Sequence, residues 1–243
     1  MTPRRPHRAC LLRRALGAVA CIGAACGPAH AQWLGNDYAA FGVPQVNYAA
    51  NSYLNFTVLN NANRDAAASR SAAQAVSTLA PRTAERSAVA AELAALYPGG
   101  SRDQLTQVFN ESLASFEQVA SRLGLPRDDV AAALAAFIVG NYIAMHGEAL
   151  PPDAEFIALT RRLRASLAAS PAFAQAAPRQ KRQAYEQLAM MGMFMTTARL
   201  ALMQTPNPQA ETHFRNHAKA NLEQLLKRPA GSLEIKGGRM TVR

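Results

Sequence analysis

His213 and His217 stand four residues apart in the stretch NPQAETHFRNHAKANLEQLL. On a helix that spacing places both imidazoles on one face, the geometry in which two nitrogens ligate a single metal ion. Glu211 could add a carboxylate. His146 or Glu148, near the end of another predicted helix, could supply a third ligand. Phe214 follows His213, so the H-E-x-x-H pattern of zinc proteases is absent. Two histidines on a polar helix face are more commonly surface residues. No resident metal or cofactor is therefore expected, with His213 and His217 kept as candidate ligands. Met190, Met191, Met193 and Met195 cluster as the thioethers of copper(I) carriers do. At about 100° per residue they point in several directions, which suits core filling better.

Other chemistries find less support. Asp128 with Asp129, or Asp153 with Glu155, could form a carboxylate pair of the kind that cleaves sugars. All four lie near expected helix starts, where acids suit the positive end of the dipole. There is no G-x-S-x-G elbow, no marked Ser–His–acid set and no glycine-rich phosphate loop. Gly99-Gly100 and Gly237-Gly238 read as turn glycines. No catalytic residue is identified.

The elements that must position these groups are helical from about Thr83 onward. Apolar periodicity and breakers predict helices over about 84–96, 101–123, 126–147, 153–169, 178–204 and 208–227. The fold expected is an all-α bundle of five or six helices. Ser101 with Gln104 suits a capping box for the second helix. Pro126, Asp128 and Asp129 suit the opening turn of the third. That helix carries no charged side chain from Val130 to Gly147 and has small residues at Ala132, Ala136, Gly140 and Ala144. Such a row lets another helix approach closely. The helix is short, moderately apolar and interrupted at Gly140-Asn141, so a central buried helix is expected rather than a membrane span. Asn207 and Pro208 suit the start of the sixth helix. In LEIKGGRMTV a Gly-Gly turn would pair Ile235 with Met240 and Leu233 with Val242, a possible short C-terminal β-hairpin.

Residues 1–31 read as a signal peptide. Five arginines precede the apolar run Ala15–Cys26, and Ala29-His30-Ala31 suits cleavage, so the mature chain would begin at Gln32. Cys10, Cys21 and Cys26 would leave with it, and with them any disulfide or thiolate chemistry. Residues 32–82 read as a flexible, aromatic- and Asn-rich leader and linker; 83–243 read as the helical domain. The six aromatics from Trp33 to Phe56 also admit docking on a partner or on the chain's own domain. Of the whole-chain charge of +10, about +5 would remain after cleavage. It is uneven: residues 32–160 hold seven Lys/Arg and twelve Asp/Glu, and residues 161–243 hold fourteen and four. A basic half suits an anionic envelope surface, or only solvated faces. Its basic stretches lack interleaved aromatics, so nucleic acid is not an expected partner.

The run LGLPRDDVAAALAAFIVGNYIAMHG, followed by Pro-Pro, the arginines at 161, 162 and 164, LAASPAF and AYEQLAMMGMFM, resembles an uncharacterised family of exported bacterial helical proteins, a domain of unknown function. The likeness spans roughly Ala90 to Ile235. It implies a signal peptide, a variable leader and an all-helical domain, and brings no activity, cofactor or site residue. The expected function is that of a non-enzymatic, exported envelope protein, periplasmic or secreted. It would bind another protein or an anionic envelope component, with no transmembrane segment in the mature chain. The alternative is a metal-binding protein or enzyme centred on His146, His213 and His217.

Overall fold

The computed structural model describes residues 48–52, 59, 62, 76–82, 87–97 and 102–242. The expected signal peptide, Trp33, Tyr38, Phe41, Tyr53, Phe56, the Gly99-Gly100 breaker and the Ser101 cap lie outside the described residues. Within them are seven α-helices and a C-terminal hairpin. The helices are α1 (Val89–Ala95), α2 (Arg102–Arg122), α3 (Val130–His146), α4 (Asp153–Ala168), α5 (Pro171–Gln175), α6 (Pro178–Gln204) and α7 (Pro208–Leu226). The hairpin strands are β1 (Leu233–Lys236) and β2 (Arg239–Val242). The all-α expectation holds. The helix beyond the six expected is α5, a single turn opened by Ser170, whose hydroxyl accepts from the Phe173 N–H, and by Pro171.

Helix α3 is the centre. Fifteen of its residues, Val130 to Asn141 and Ile143 to Met145, are buried, so it has no polar face. It packs against α6, α7 and α4, while α6 in turn carries α2 and α1 on its other side. The small row explains how α3 and α6 meet. A Cβ built on Gly140 would lie 2.2 Å from the Gly192 carbonyl oxygen, and one built on Gly192 would lie 2.5 Å from the backbone of Ala136 and Phe137. The two backbones touch, and only glycine permits it. Among the described residues no helix is long and apolar enough to cross a membrane.

Asn141, the polar interruption noted in the sequence, is buried and satisfied. Its amide donates to the Phe137 carbonyl (2.8 Å), its oxygen accepts from Asn221 of α7 (2.9 Å), and Asn221 accepts from the Tyr48 hydroxyl (3.0 Å). Tyr48 is buried edge-on against Phe137, with centroids 4.9 Å apart. Ala50, Leu59, Ala62, Thr78 and Ala80 are buried as well. These positions, from the expected leader and linker, belong to the core. Burying a hydroxyl is favourable only when it is paired. Tyr48→Phe should accordingly lower the unfolding free energy by about 1 kcal/mol, and Tyr48→Ala by about 3 kcal/mol or more. Urea denaturation measures both; equal stability of all three chains would remove Tyr48 from the core.

The hairpin has the expected register, Leu233 with Val242 and Ile235 with Met240. Gly237 and Gly238 both adopt positive φ, as a two-residue turn of the type I′ class requires. Leu233 and Met240 are buried, and the turn lies against α4, where a Cβ on Gly238 would meet Ala158 and Leu159.

Candidate functional site

An open cleft of about 650 Å³ lies where the end of α2, the loop into α3 and the first half of α6 converge. Leu125 and Pro126 contribute apolar surface over the buried rings of Phe116 and Tyr185, and Arg82, Arg122 and Asp128 contribute charge. The chain reaches this arrangement through a local reversal. Gly124, at φ +67°, ends α2. Asp128 then takes φ +59°, a conformation that Asp tolerates better than most residues. The sequence expectation that α3 opens at Pro126 is corrected: the helix begins at Val130, because Asp129 is its N-cap and accepts from the Ala131 N–H at 3.1 Å.

Asp128 and Asp129 thereby face opposite ways. Asp129 is buried and unexposed, held by the Thr78 hydroxyl (2.7 Å) and by Arg164 of α4 (2.5 Å). Residues 76–82 run beside it as an extended strap, with Ala80 N–H donating to the Asp128 carbonyl and Val130 N–H to that of Thr78. Asp128 faces the cleft, where Arg182 (2.7 Å) and Arg82 (2.9 Å) grip its two oxygens. Arg182 also bonds Glu186 (2.5 Å), which accepts from the Ser87 hydroxyl, and its guanidinium lies 5.0 Å from the Tyr185 ring centroid. The Tyr185 hydroxyl donates to Glu117 at 3.5 Å.

These contacts set the protonation states. Partial burial alone would raise the Asp128 carboxyl, but hydrogen bonds and charge from Arg82 and Arg182 outweigh it and hold it below the usual carboxylate range. Burial, then the negative charges of Glu117 and Asp128, push the Tyr185 hydroxyl far up, so it stays a neutral donor. A depressed folded-state value means that the Asp128 contribution to stability is complete above the unfolded value of about 3.9 and is lost as pH falls through the folded one. Thermal melts between about pH 2 and about pH 5 should therefore show wild type losing stability faster than Asp128→Asn as acid is added. Parallel curves would show that the two arginines do not hold this carboxylate.

The other sequence candidates lie elsewhere. His146 ends α3 exposed, its ring 4.6 Å from that of Tyr142. His213 is half-buried on α7, and His217 is buried among Phe214, Ala218 and Asn221 on the inner face of that helix. The alternative centre on His146, His213 and His217 finds no such grouping: among the described residues no three of His, Cys, Asp or Glu are placed to hold a metal ion. The inward turn of His217 and the exposure of His146 are the reason. Met190, Met191, Met193 and Met195 are all buried on a stretch of α6 enclosed on every side. Asp153 and Glu155 occupy the first turn of α4, as dipole arguments predict.

Periodicity could not have found the cleft. Arg82 lay in an expected linker, and Arg164 lies off the apolar stripe of α4. Arg182 and Glu186 do show an i, i+4 pair of opposite charge, the one local signal available.

Fold and cleft together define an all-helical domain with a C-terminal hairpin and an arginine-lined depression at one end of its two central helices. The chain belongs to the family of unknown function DUF6683, whose model matches residues 12–242. That span is wider than the likeness read from Ala90 to Ile235, and it takes in Tyr48 and the strap. Neither the curated proteins nor the solved structures give a match to this chain.

Proposed function

We propose that this chain is a non-enzymatic protein of the bacterial envelope, exported by its N-terminal signal, that acts by binding a protein or an envelope component. One observation carries the binding reading. In the cleft Asp128 is kept charged by two arginines and Tyr185 is kept neutral. A general acid or base works best with a value near the ambient pH, and both of these groups are driven away from it. A cleft of about 650 Å³ lined by both polar and apolar groups suits non-covalent recognition.

Cross-linking in native envelopes, followed by mass spectrometry, tests this reading. The expected result is processed chain beginning at Gln32 in the periplasmic fraction, with one reproducible cross-linked species. Arg122→Glu combined with Arg127→Glu, exposed changes on the cleft rim, should reduce its recovery. Deleting the whole leader is the wrong control, because Tyr48 and Leu59 are core residues. Unprocessed chain in the cytoplasm would overturn the export reading. A processed chain with nothing captured would overturn the binding reading.

A further inference from the structure

We infer that the cleft receives an oxyanion, a carboxylate or a phosphate, carried on a small apolar body. The inference rests on the binding reading above and names the ligand chemistry of that site.

Charge supplies the first argument. Three arginines, Arg82, Arg122 and Arg127, line the cleft against two carboxylates, Glu117 and Asp128. Asp128 is already matched by Arg82 and by Arg182 behind it. Arg122 and Arg127 are both exposed, and neither has a carboxylate within ion-pair distance among the described residues. The position of Arg122 in the last turn of α2 has a structural explanation, since a cation there complements the negative end of the helix. Arg127 has no such explanation. It follows the helix, beyond Gly124, and stands beside the same cleft. Two guanidiniums without counter-charge among the described residues stand on one rim, and each carries the paired N–H donors that a carboxylate or phosphate accepts.

The walls supply the second argument. Leu125 and Pro126 present apolar surface in the same space, above the buried ring of Tyr185, which is fixed under Arg182. A hydrated inorganic ion would leave this surface unused. The volume falls in the range of small-molecule pockets, roughly 300–1,000 Å³, which sets the size of the apolar body.

Calorimetric titration of the purified full chain with phenyl phosphate, benzoate and benzyl alcohol tests the inference. At least one of the anions should bind, and benzyl alcohol should bind about tenfold more weakly or not at all. The better anion identifies the head group as phosphate or carboxylate. Arg122→Gln combined with Arg127→Gln changes two exposed side chains. It should weaken the anion about tenfold or more while leaving the melting temperature within a few degrees. Added salt should weaken wild-type binding in the same direction. Absence of binding by both anions, equal binding of benzyl alcohol, or unchanged affinity in the double variant would overturn the inference. A cross-linked envelope partner that survives such a result would leave the binding reading standing and remove only the anion.

Discussion

Gly140→Ala should destabilise the protein by about 2 kcal/mol or more, although alanine is the better helix former. Two effects compete. Removing a glycine from a helix interior gains about 1 kcal/mol of propensity. Against this, the new Cβ would lie 2.2 Å from the Gly192 carbonyl oxygen and 2.8 Å from the Thr196 hydroxyl oxygen. The hydroxyl can rotate away. The carbonyl is helix backbone and cannot, so α3 and α6 must separate along their most buried contact. Overpacking of this kind typically costs 1–3 kcal/mol and sometimes more, so it outweighs the propensity gain. Gly192→Ala should behave alike, since its Cβ would meet the backbone of Ala136 and Phe137 at 2.5 Å. The two changes should not add, because a pair of helices already forced apart has room for the second methyl. Gly231→Ala is the control, with nothing within 4 Å of its Cβ and an ordinary φ, and should stay within about 0.5 kcal/mol. Urea denaturation measures all four chains. A Gly140→Ala chain as stable as wild type would show that α3 and α6 do not meet backbone to backbone.

Asp129→Ala should cost about 3 kcal/mol. The carboxylate is unexposed and answers three groups at once: the Ala131 N–H at the start of α3, the Thr78 hydroxyl and the Arg164 guanidinium. Loss of an N-cap alone costs about 1 kcal/mol. Stranding a partner of a buried ion pair costs about 3–5 kcal/mol. The lower end applies here, because the Arg164 side chain is 33% exposed and can turn toward water. Asp129→Asn keeps the cap and the Thr78 bond while losing the charge, so it should cost about half as much. Arg164→Gln should be costly in the wild-type chain and nearly neutral in Asp129→Ala, a coupling of about 1–2 kcal/mol in a double-mutant cycle. Amide exchange should report the same loss locally, with Ala80 and Val130, the strap bonds beside Asp129, opening before the rest of α3. Additive single effects would show that Asp129 and Arg164 act independently.

Much of this architecture was legible in local pattern. The helices over 153–169, 178–204 and 208–227 follow from apolar spacing and, for the last, from Asn207 and Pro208. The register of the hairpin follows from a Gly-Gly turn between alternating apolar residues. The small row of α3 announced a close helix neighbour. These features are readable because they depend on residues fewer than about five positions apart, where backbone sterics and the 3.6-residue period act directly.

The cleft and the polar core belong to the other kind of feature. Arg82, Asp128 and Arg182 are separated by 46 and 54 positions, and Tyr48 meets Asn221 across 173. No period links such residues, and each has an ordinary local explanation: a linker arginine, a helix-start acid, a leader tyrosine. Composition likewise assigned positions 48, 50, 59 and 62 to a leader, because a short polar, aromatic segment carries no helical period of its own even when it fills the core. The chain's residues therefore settled which segments are helical, that Asn207 caps the last of them and that one of them must be enclosed. Tertiary packing decided which neighbour touches the Gly140 backbone, that Asp128 turns outward while Asp129 turns in, and that Arg122 and Arg127 meet Phe116 and Tyr185 around one space. The division is physical: short-range sterics and capping are written into neighbouring residues, whereas the pairing of distant charges exists only once the hydrophobic core has brought their helices together.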